Sequence, residues 1–432
     1  MRLTSRPPSP SDCIPVSSRW LLIGVCGVAL LASLTLTGSP AEAAPKVSAL
    51  PTQDLFATDG SIKSSVGAMH FAVVGDTRPA IPGDKVLGRA SIEGAEEAIV
   101  ADISANVDAL RLKFAVLLGN MVAGSTTGEW KTFTRNWMPA LAGSEISETG
   151  GSRIKSVPVC GVTDRIGDEW LTGFGAAFPG VGANIGANRV ASWYRYDVAA
   201  DGKTWRFIVL DADKATLGSR WDEQVSWIEG ALKGRYDHVL VFMNRPKITL
   251  AKGASDNDGG GPVELLDTVE QSTDLNAIVA VFSGNSGTNE IFLPGGRLGE
   301  AYINVSSGAP AATLARWRTN PELKLESIFD LQLIKSFDRT VEALGLAETV
   351  IDHAKARGSY EGFVGEYESR GFPIAGWWNV SVAGDTLGLD FRMWDPAAGR
   401  GDEADGASWM TSIYQAGWTS KDGWKTGSAI AP

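Results

Sequence analysis

From about residue 70 onward the apolar positions fall into a repeating order. The runs "FAVVG" (71–75), "FAVLLG" (114–119), "SVPVCG" (156–161), "HVLVFMN" (238–244) and "AIVAVFSGN" (277–285) are almost wholly apolar and predict strands buried on both faces. Between the runs lie stretches of helical period at 89–110, 128–142, 168–178 and 222–232, the last placing Val225, Ile228 and Leu232 on one face. "SWYRYDVA" (192–199) and "TWRFIVLDAD" (204–213) flank Asp201-Gly202, a turn pair suited to a hairpin, and 377–394 alternates around Gly384-Asp385 in the same way. Short apolar runs separated by amphipathic helices predict an α/β chain with mixed sheets covered on their faces.

The order breaks at several places. Arg2, Arg6 and Arg19 precede the apolar run from Trp20 to Thr37, and "AEA" at 41–43 supplies the small residues of a cleavage site. This predicts a signal peptide over 1–43 and a secreted, periplasmic or extracellular protein; the competing expectation is an uncleaved anchor. Residues 44–68 read as a leader, 69–310 as the main domain, 311–360 as a helical insertion, and 361–432 as a C-terminal hairpin completing the domain with a Trp- and Gly-rich tail. "KGASDNDGGG" (252–261) lacks the ligand spacing and closing glutamate of a calcium loop and reads as a flexible connection.

Composition narrows the classes of function. The 432 residues are 44% hydrophobic, ample for a large core. The formal charge is −11, and the signal segment carries three arginines against Asp12 and Glu42, so its loss leaves −12. Without a basic run to neutralise phosphates, nucleic acid is excluded as the expected partner, and nothing beyond the signal segment predicts a membrane partner. Cys13 and Cys26 leave with the signal, so Cys160 has no internal disulfide partner. Of the 15 tryptophans, Trp377, Trp378, Trp394, Trp409, Trp418 and Trp424 gather toward the C-terminus. Core and edge packing is expected in preference to a sugar platform, since Trp377 and Trp378 point to opposite faces of one strand.

The polar residues that follow the apolar runs are the candidate chemistry: "VVGDTRP", "AVLLGNMV", "VPVCGVTD", "VLVFMNRP" and "AVFSGNSGTNE". In this order the five loops resemble those of the calcineurin-like metallophosphoesterase family, especially its purple-acid-phosphatase-like branch, over residues 70–310. The resemblance implies a four-layer αββα sandwich with two mixed β-sheets, here carrying the helical insertion and the C-terminal hairpin. It implies hydrolysis of phosphoesters by a pair of divalent cations. The family's loops carry Asp-x-His, Gly-Asp, Gly-Asn-His-Asp/Glu, a lone His and Gly-His-x-His. Here Asp76 is kept, but Arg78 stands at the first histidine and Asn120 at the bridging aspartate. Val162 and Thr163 stand at the ligand asparagine and catalytic histidine, with Gly161 and Asp164 kept. Asn244 stands at the lone histidine, and Asn285 and Gly287 at the last two.

A two-metal hydrolase holds its cations roughly 3.5–4 Å apart on imidazoles and carboxylates. Of the ligand-type residues Asp76 alone is retained, and none of the three histidines, His70, His238 and His353, falls at the C-terminal end of a strand. The expectation is a pseudophosphatase with no catalytic residue and no cofactor, retained for binding or structural work. Its vestigial site comprises Asp76, Arg78, Asn120, Thr163, Asp164, Asn244, Arg245, Asn285 and Gly287. One alternative is an active hydrolase rebuilt around a single divalent cation on Asp76, Asp164 and Asp211. The other is an anion-binding or adhesion module using Arg78 and Arg245, so the expected partner is an anion, a glycan or an envelope protein. Within the site, Asp76 is expected to pair with Arg78, and Asp164 with Arg165 or Arg245. Asp211 and Asp213 are expected as turn formers before an acid–base pair, and Glu290 as a cap or a partner of Arg78.

Overall fold

β-branched and aromatic residues set the central strands, and the helices fill the amphipathic stretches between them. The computed structural model describes residues 61–65, 67–78, 92–137, 155–167, 170–178, 192–251, 261–273, 277–295, 299–307, 360–364, 366–372, 375–394 and 410–426. These belong to a unit spanning Val47–Pro432; a second unit, Met1–Lys46, holds the expected signal segment and lies outside the described residues. The loop at 252–260 and the expected helical insertion up to residue 359 lie outside them as well. No described helix is long and apolar enough to cross a membrane.

The elements in chain order are β1 (Ser61–Ser65), β2 (Met69–Val74), α1 (Ile92–Ala109), β3 (Leu112–Leu117), α2 (Thr127–Trp137) and β4 (Lys155–Pro158). A 3₁₀ turn at Thr163–Arg165 leads to α3 (Trp170–Ala177), β5 (Tyr194–Ala200), β6 (Lys203–Leu210), α4 (Lys214–Leu217), α5 (Arg220–Ala231) and β7 (His238–Met243). Next come α6 (Gly261–Ser272), β8 (Ile278–Ser283), β9 (Asn289–Pro294), β10 (Ala301–Asn304), β11 (Tyr360–Val364) and β12 (Tyr367–Phe372). The chain closes with β13 (Gly376–Ala383), β14 (Thr386–Trp394), β15 (Met410–Thr419) and β16 (Gly423–Thr426).

Among the described residues these strands form two mixed sheets, ordered β1-β5-β6-β7-β8-β10-β9-β12-β11 and β16-β15-β14-β13-β2-β3-β4. The centres are parallel: β6, β7, β8 and β10 in the first sheet, and β2, β3 and β4 in the second. The sheets face each other across an aromatic layer in which Phe71 stacks on Phe114 at 4.7 Å and meets Phe207 at 5.4 Å. Alternate residues of β6 and β7 turn the other way, so Ile208, Val239 and Val241 pack with Ile228 of α5 and with Leu265 and Val269 of α6. Helix α1 covers the second sheet, where Asp102 accepts from Trp377 Nε1 at 2.8 Å and pairs with Arg392. The result is the expected αββα sandwich.

Several details differ from the sequence expectations. Ser61–Ser65, inside the expected leader, runs beside β5. Residues 410–426, read only as a tail, add two strands to the edge of the second sheet, because glycines and tryptophans there obscure the period-2 signal while β14 supplies a long pairing edge. Trp377 and Trp378 are both fully buried, one under α1 and the other in the inter-sheet layer at 4.9 Å from Phe391. His70 lies within β2 and His238 at the start of β7; His353 is outside the described residues.

Candidate functional site

Parallel strands bring their C-terminal ends to a common rim, and every residue of the expected site lies in a loop leaving it. Asp76, Asn120 and Asn285 follow β2, β3 and β8 and all adopt left-handed backbone, with φ of 50°, 53° and 59°. Only glycine takes this conformation freely, and Asp and Asn tolerate it best among the others. Three strand ends therefore turn sharply at short polar residues, and their side chains meet.

Asn120 holds the centre. Its Nδ2 donates to Asp76 Oδ1 at 2.8 Å and to Asn285 Oδ1 at 2.7 Å. Its Oδ1 accepts from the Thr163 backbone N–H and from Thr163 Oγ1, both at 3.2 Å. The second oxygen of Asp76 accepts from Ser306 Oγ at 2.7 Å, and the backbone N–H of Gly287 also reaches that carboxylate. Asn244 fastens two loops, donating to Leu118 O at 2.6 Å and accepting from Val162 N at 3.3 Å. Burial raises the Asp76 pKa despite the opposing hydrogen bonds from Ser306 and Asn120 and the charge of Arg78.

Glycines let the backbones close on one another beneath this network. A Cβ on Gly161 would lie 2.1 Å from Asn120 N, and one on Gly119 would lie 2.7 Å from Gly161 Cα and from Asn244 Nδ2. Asp164 ties the same loops from inside by accepting the backbone N–H groups of Met121, Val122 and Gly161 at 2.6, 3.0 and 2.9 Å. Burial pushes its pKa up to about 6 against these bonds.

The charge pairing differs from expectation. Arg165 pairs with Asp211, not Asp164, donates to Cys160 Sγ at 3.0 Å and lies over the Trp170 ring. Arg245 faces Asp213 at 3.7 Å, and Asp213 also accepts from Thr216. Asp211 is completely buried and does two things: one oxygen serves the ion pair, and the other forms the expected turn by accepting from the Asp213 N–H at 3.3 Å. The carboxylate of Glu290 accepts from Leu250 N at 2.9 Å, Asn304 Nδ2 at 3.0 Å and Thr249, in place of the expected Arg78. Arg78 reaches the network through its backbone N–H, which donates to Asn120 O at 2.9 Å; its charge acts on Asp76 without a hydrogen bond between the side chains. These pairings follow from chain geometry that spacing does not encode: aspartates after β4 and β6 enter from opposite sheets, and backbone N–H groups reach Asp164 first.

Ser306, the partner of Asp76, was missed. Its signal was present in "AYINVSSGAP", a further apolar run ending in polar residues, which follows β10 onto the same rim.

The donor set does not fit the cation pair that the family resemblance implies. Asp76 spends both oxygens on N–H and O–H donors, and the Asn120, Asn244 and Asn285 oxygens each accept a hydrogen bond. Among the described residues no three His, Cys, Asp or Glu side chains gather at one point. Asp164 and Asp211, the other members of the single-cation alternative, are committed to backbone N–H groups and to Arg165.

No family model matches the sequence, and no curated protein matches it. Several solved structures are similar to the chain in shape. The GAP50 anchor of the Plasmodium inner membrane complex is 12% identical with a TM-score of 0.46, covering 80% of this chain and 89% of that one. A PhoD structure is 11% identical with a TM-score of 0.47, covering 85% and 73%. The purple acid phosphatase PPD1 from yellow lupin (Lupinus luteus) seeds is 12% identical with a TM-score of 0.43, covering 77% and 53%.

Proposed function

We propose that the protein is a secreted pseudophosphatase, a metallophosphoesterase-like scaffold whose cation site has been rebuilt as a hydrogen-bonded clasp and which works by binding or as a structural part. The observation that carries this reading is the Asn120 side chain, whose amide donates to Asp76 and Asn285 and accepts from Thr163. An amide in this place donates toward the retained carboxylate, whereas a bridging ligand would have to present negative charge to two cations. The six polar residues of the clasp leave no open set of anionic donors.

The test is an assay of the mature chain on phosphomonoester and phosphodiester substrates with manganese, iron or zinc supplied. The expected result is no turnover above the metal blank. Metal-dependent turnover that disappears in Asp76→Ala would overturn the reading and favour a rebuilt hydrolase using a divalent cation.

One observation favours the anion-binding alternative. Among the described residues the Arg78 guanidinium has no hydrogen bond or ion pair, and it is only half-buried at the edge of the clasp. Arg245, the other candidate, is turned toward Asp213. Sulfate or phosphate binding that is lost in Arg78→Ala would support this second reading.

A further inference from the structure

At the end opposite the clasp, a hairpin turn of the second sheet is fastened to the first. The turn joining β13 to β14, at Gly384-Asp385, donates from Gly384 N to Ala200 O at 3.1 Å, and the Gly384 carbonyl accepts from Trp205 Nε1 at 3.0 Å. Lys203 Nζ is 3.3 Å from Asp385 Oδ1, and Ser420, just past β15, donates its backbone N–H to Asp385 O at 3.1 Å. Six residues of β7, at about 3.3 Å rise each, separate this joint from the strand-end clasp by roughly 20 Å.

His238 sits inside the joint. Its ring lies between Trp205 of the first sheet and Trp418 of the second, at 4.5 and 5.1 Å, and its Nε2 is 2.8 Å from Asp385 Oδ1. A carboxylate accepts, so Nε2 carries the proton. Nδ1 is enclosed and has no partner among the described residues. A second proton would therefore create a buried N–H without an acceptor, on a ring that has also gained a charge. Attraction between that charge and the indole rings offsets only part of the cost, since it supplies no acceptor to Nδ1.

The charged groups that face the ring oppose one another. Asp385 from the hairpin turn and Asp237, just before β7, favour the second proton; Lys203 of β6 disfavours it and lies 3.1 Å from one carboxylate and 3.3 Å from the other. Asp201, in the turn joining β5 to β6, lies beside Gly384 and is exposed, and β15 brings Trp418 but no charge. Burial outweighs the carboxylates and holds the ring below its ordinary pKa of 6.5. The ring also forms part of the wall of a cavity of about 820 Å³, so rotation into that space would carry Nδ1 to water.

We infer that His238 is an acid-released latch between the two sheets: on gaining a second proton its ring leaves the slot, and the Gly384-Asp385 turn and Trp418 loosen from the first sheet. Stability from the neutral ring is present in full above about pH 6.5 and is lost as pH falls through the lower folded value. For a released ring of ordinary pKa, the opening equilibrium at pH 5 can rise by at most about 30-fold. The effect is local. Unfolding of the whole chain moves the other way in acid, because burial raises the pKa of Asp76, Glu96, Asp164 and Glu290 together. The inference is independent of the clasp.

The test is amide hydrogen exchange of the mature chain at pH 5 and pH 7.5, each rate divided by the intrinsic rate at that pH. The Gly384 and Ser420 amides are expected to lose protection about tenfold at pH 5, while the Leu118 amide beside the clasp, which donates to Val74 O, should not. Exchange through global unfolding would slow in acid instead. His238→Phe keeps a ring in the slot but holds no proton, and should abolish the loss. Asp385→Asn keeps an acceptor for Nε2 and removes a charge that favours the second proton, so the loss should persist or grow. Protection in the parent chain that does not fall in acid, a fall that persists in His238→Phe, or one that disappears in Asp385→Asn would overturn the latch.

Discussion

Asn120 donates to Asp76 Oδ1 at 2.8 Å, joining by an amide two strand ends that lie 44 residues apart. The bond is buried, and the same Nδ2 also serves Asn285, so its chemistry is closely constrained. Asn120→Asp keeps the shape but replaces the donor by a second carboxylate against Asp76. Like charges at this distance, with a buried acceptor left unpaired, are expected to cost about 3 kcal/mol at neutral pH, and less in acid where the pair shares a proton. Urea denaturation of the variant at pH 5 and pH 7.5 checks both magnitude and sign. Because the substitution recreates an anionic pair, the variant should also gain thermal stability on addition of manganese, while the parent chain should not.

Acidity should stabilise the parent protein. Asp164 titrates near pH 6 in the folded chain against an ordinary value of 3.8, with burial as the main cause. The folded state therefore holds this proton more tightly than the unfolded chain. Stability from the group is present in full below about pH 4 and is lost as pH rises toward 6, a change of up to about 3 kcal/mol. Burial shifts Asp76, Glu96 and Glu290 in the same direction. The urea midpoint should thus be higher at pH 5 than at pH 7.5. Asp164→Asn should flatten that slope, even though its amide meets the Gly161 N–H and lowers stability overall.

Much of this arrangement was legible in the sequence, and the part that was not has a common cause. The apolar runs located β2, β3, β7 and β8 to within a few residues, because strands buried on both faces leave a continuous apolar signature. The polar residues after those runs were correctly placed on one rim, since parallel strands share an end. What spacing does not carry is which oxygen meets which donor across loops more than 40 residues apart: Asp164 found backbone N–H groups, and Arg165 found Asp211. The left-handed turns at Asp76, Asn120 and Asn285 left no trace beyond short polar side chains, which are common in loops of every kind. Strands β15 and β16 were hidden for a different reason: their glycines break the alternation that the neighbouring strand restores.

The glycines beneath the clasp give a prediction with an internal control. Gly161→Ala would put a methyl group 2.1 Å from Asn120 N, a backbone atom that cannot swing aside. Separating the two loops should cost about 3 kcal/mol or more, through overpacking and through the hydrogen bonds of Asp164 and Thr163 that cross the same gap. Gly202→Ala also adds a methyl group where φ is positive, at +79°, but with nothing within 4 Å. It should cost only about 1 kcal/mol, the conformational part alone. Comparable losses in the two variants, measured by chemical denaturation, would show that close approach at Gly161 matters little.

The Arg165 and Asp211 pair bridges a loop after β4 in one sheet and a loop after β6 in the other, with both side chains almost wholly buried. Removing one partner strands the other in a medium that solvates charge poorly, so Asp211→Ala should destabilise by about 3–5 kcal/mol. Removing both charges is a different matter, because the desolvation of two ions is relieved together. Arg165→Met with Asp211→Ala should recover much of the loss, as Met fills the space against Trp170 and Cys160. A double-mutant cycle measured by urea denaturation separates the outcomes. Recovery in the double variant identifies the pair as a charge-balanced joint between the sheets. A double variant as unstable as Asp211→Ala would mean that Asp211 acts through another contact, and that the joint between the sheets depends on its carboxylate alone.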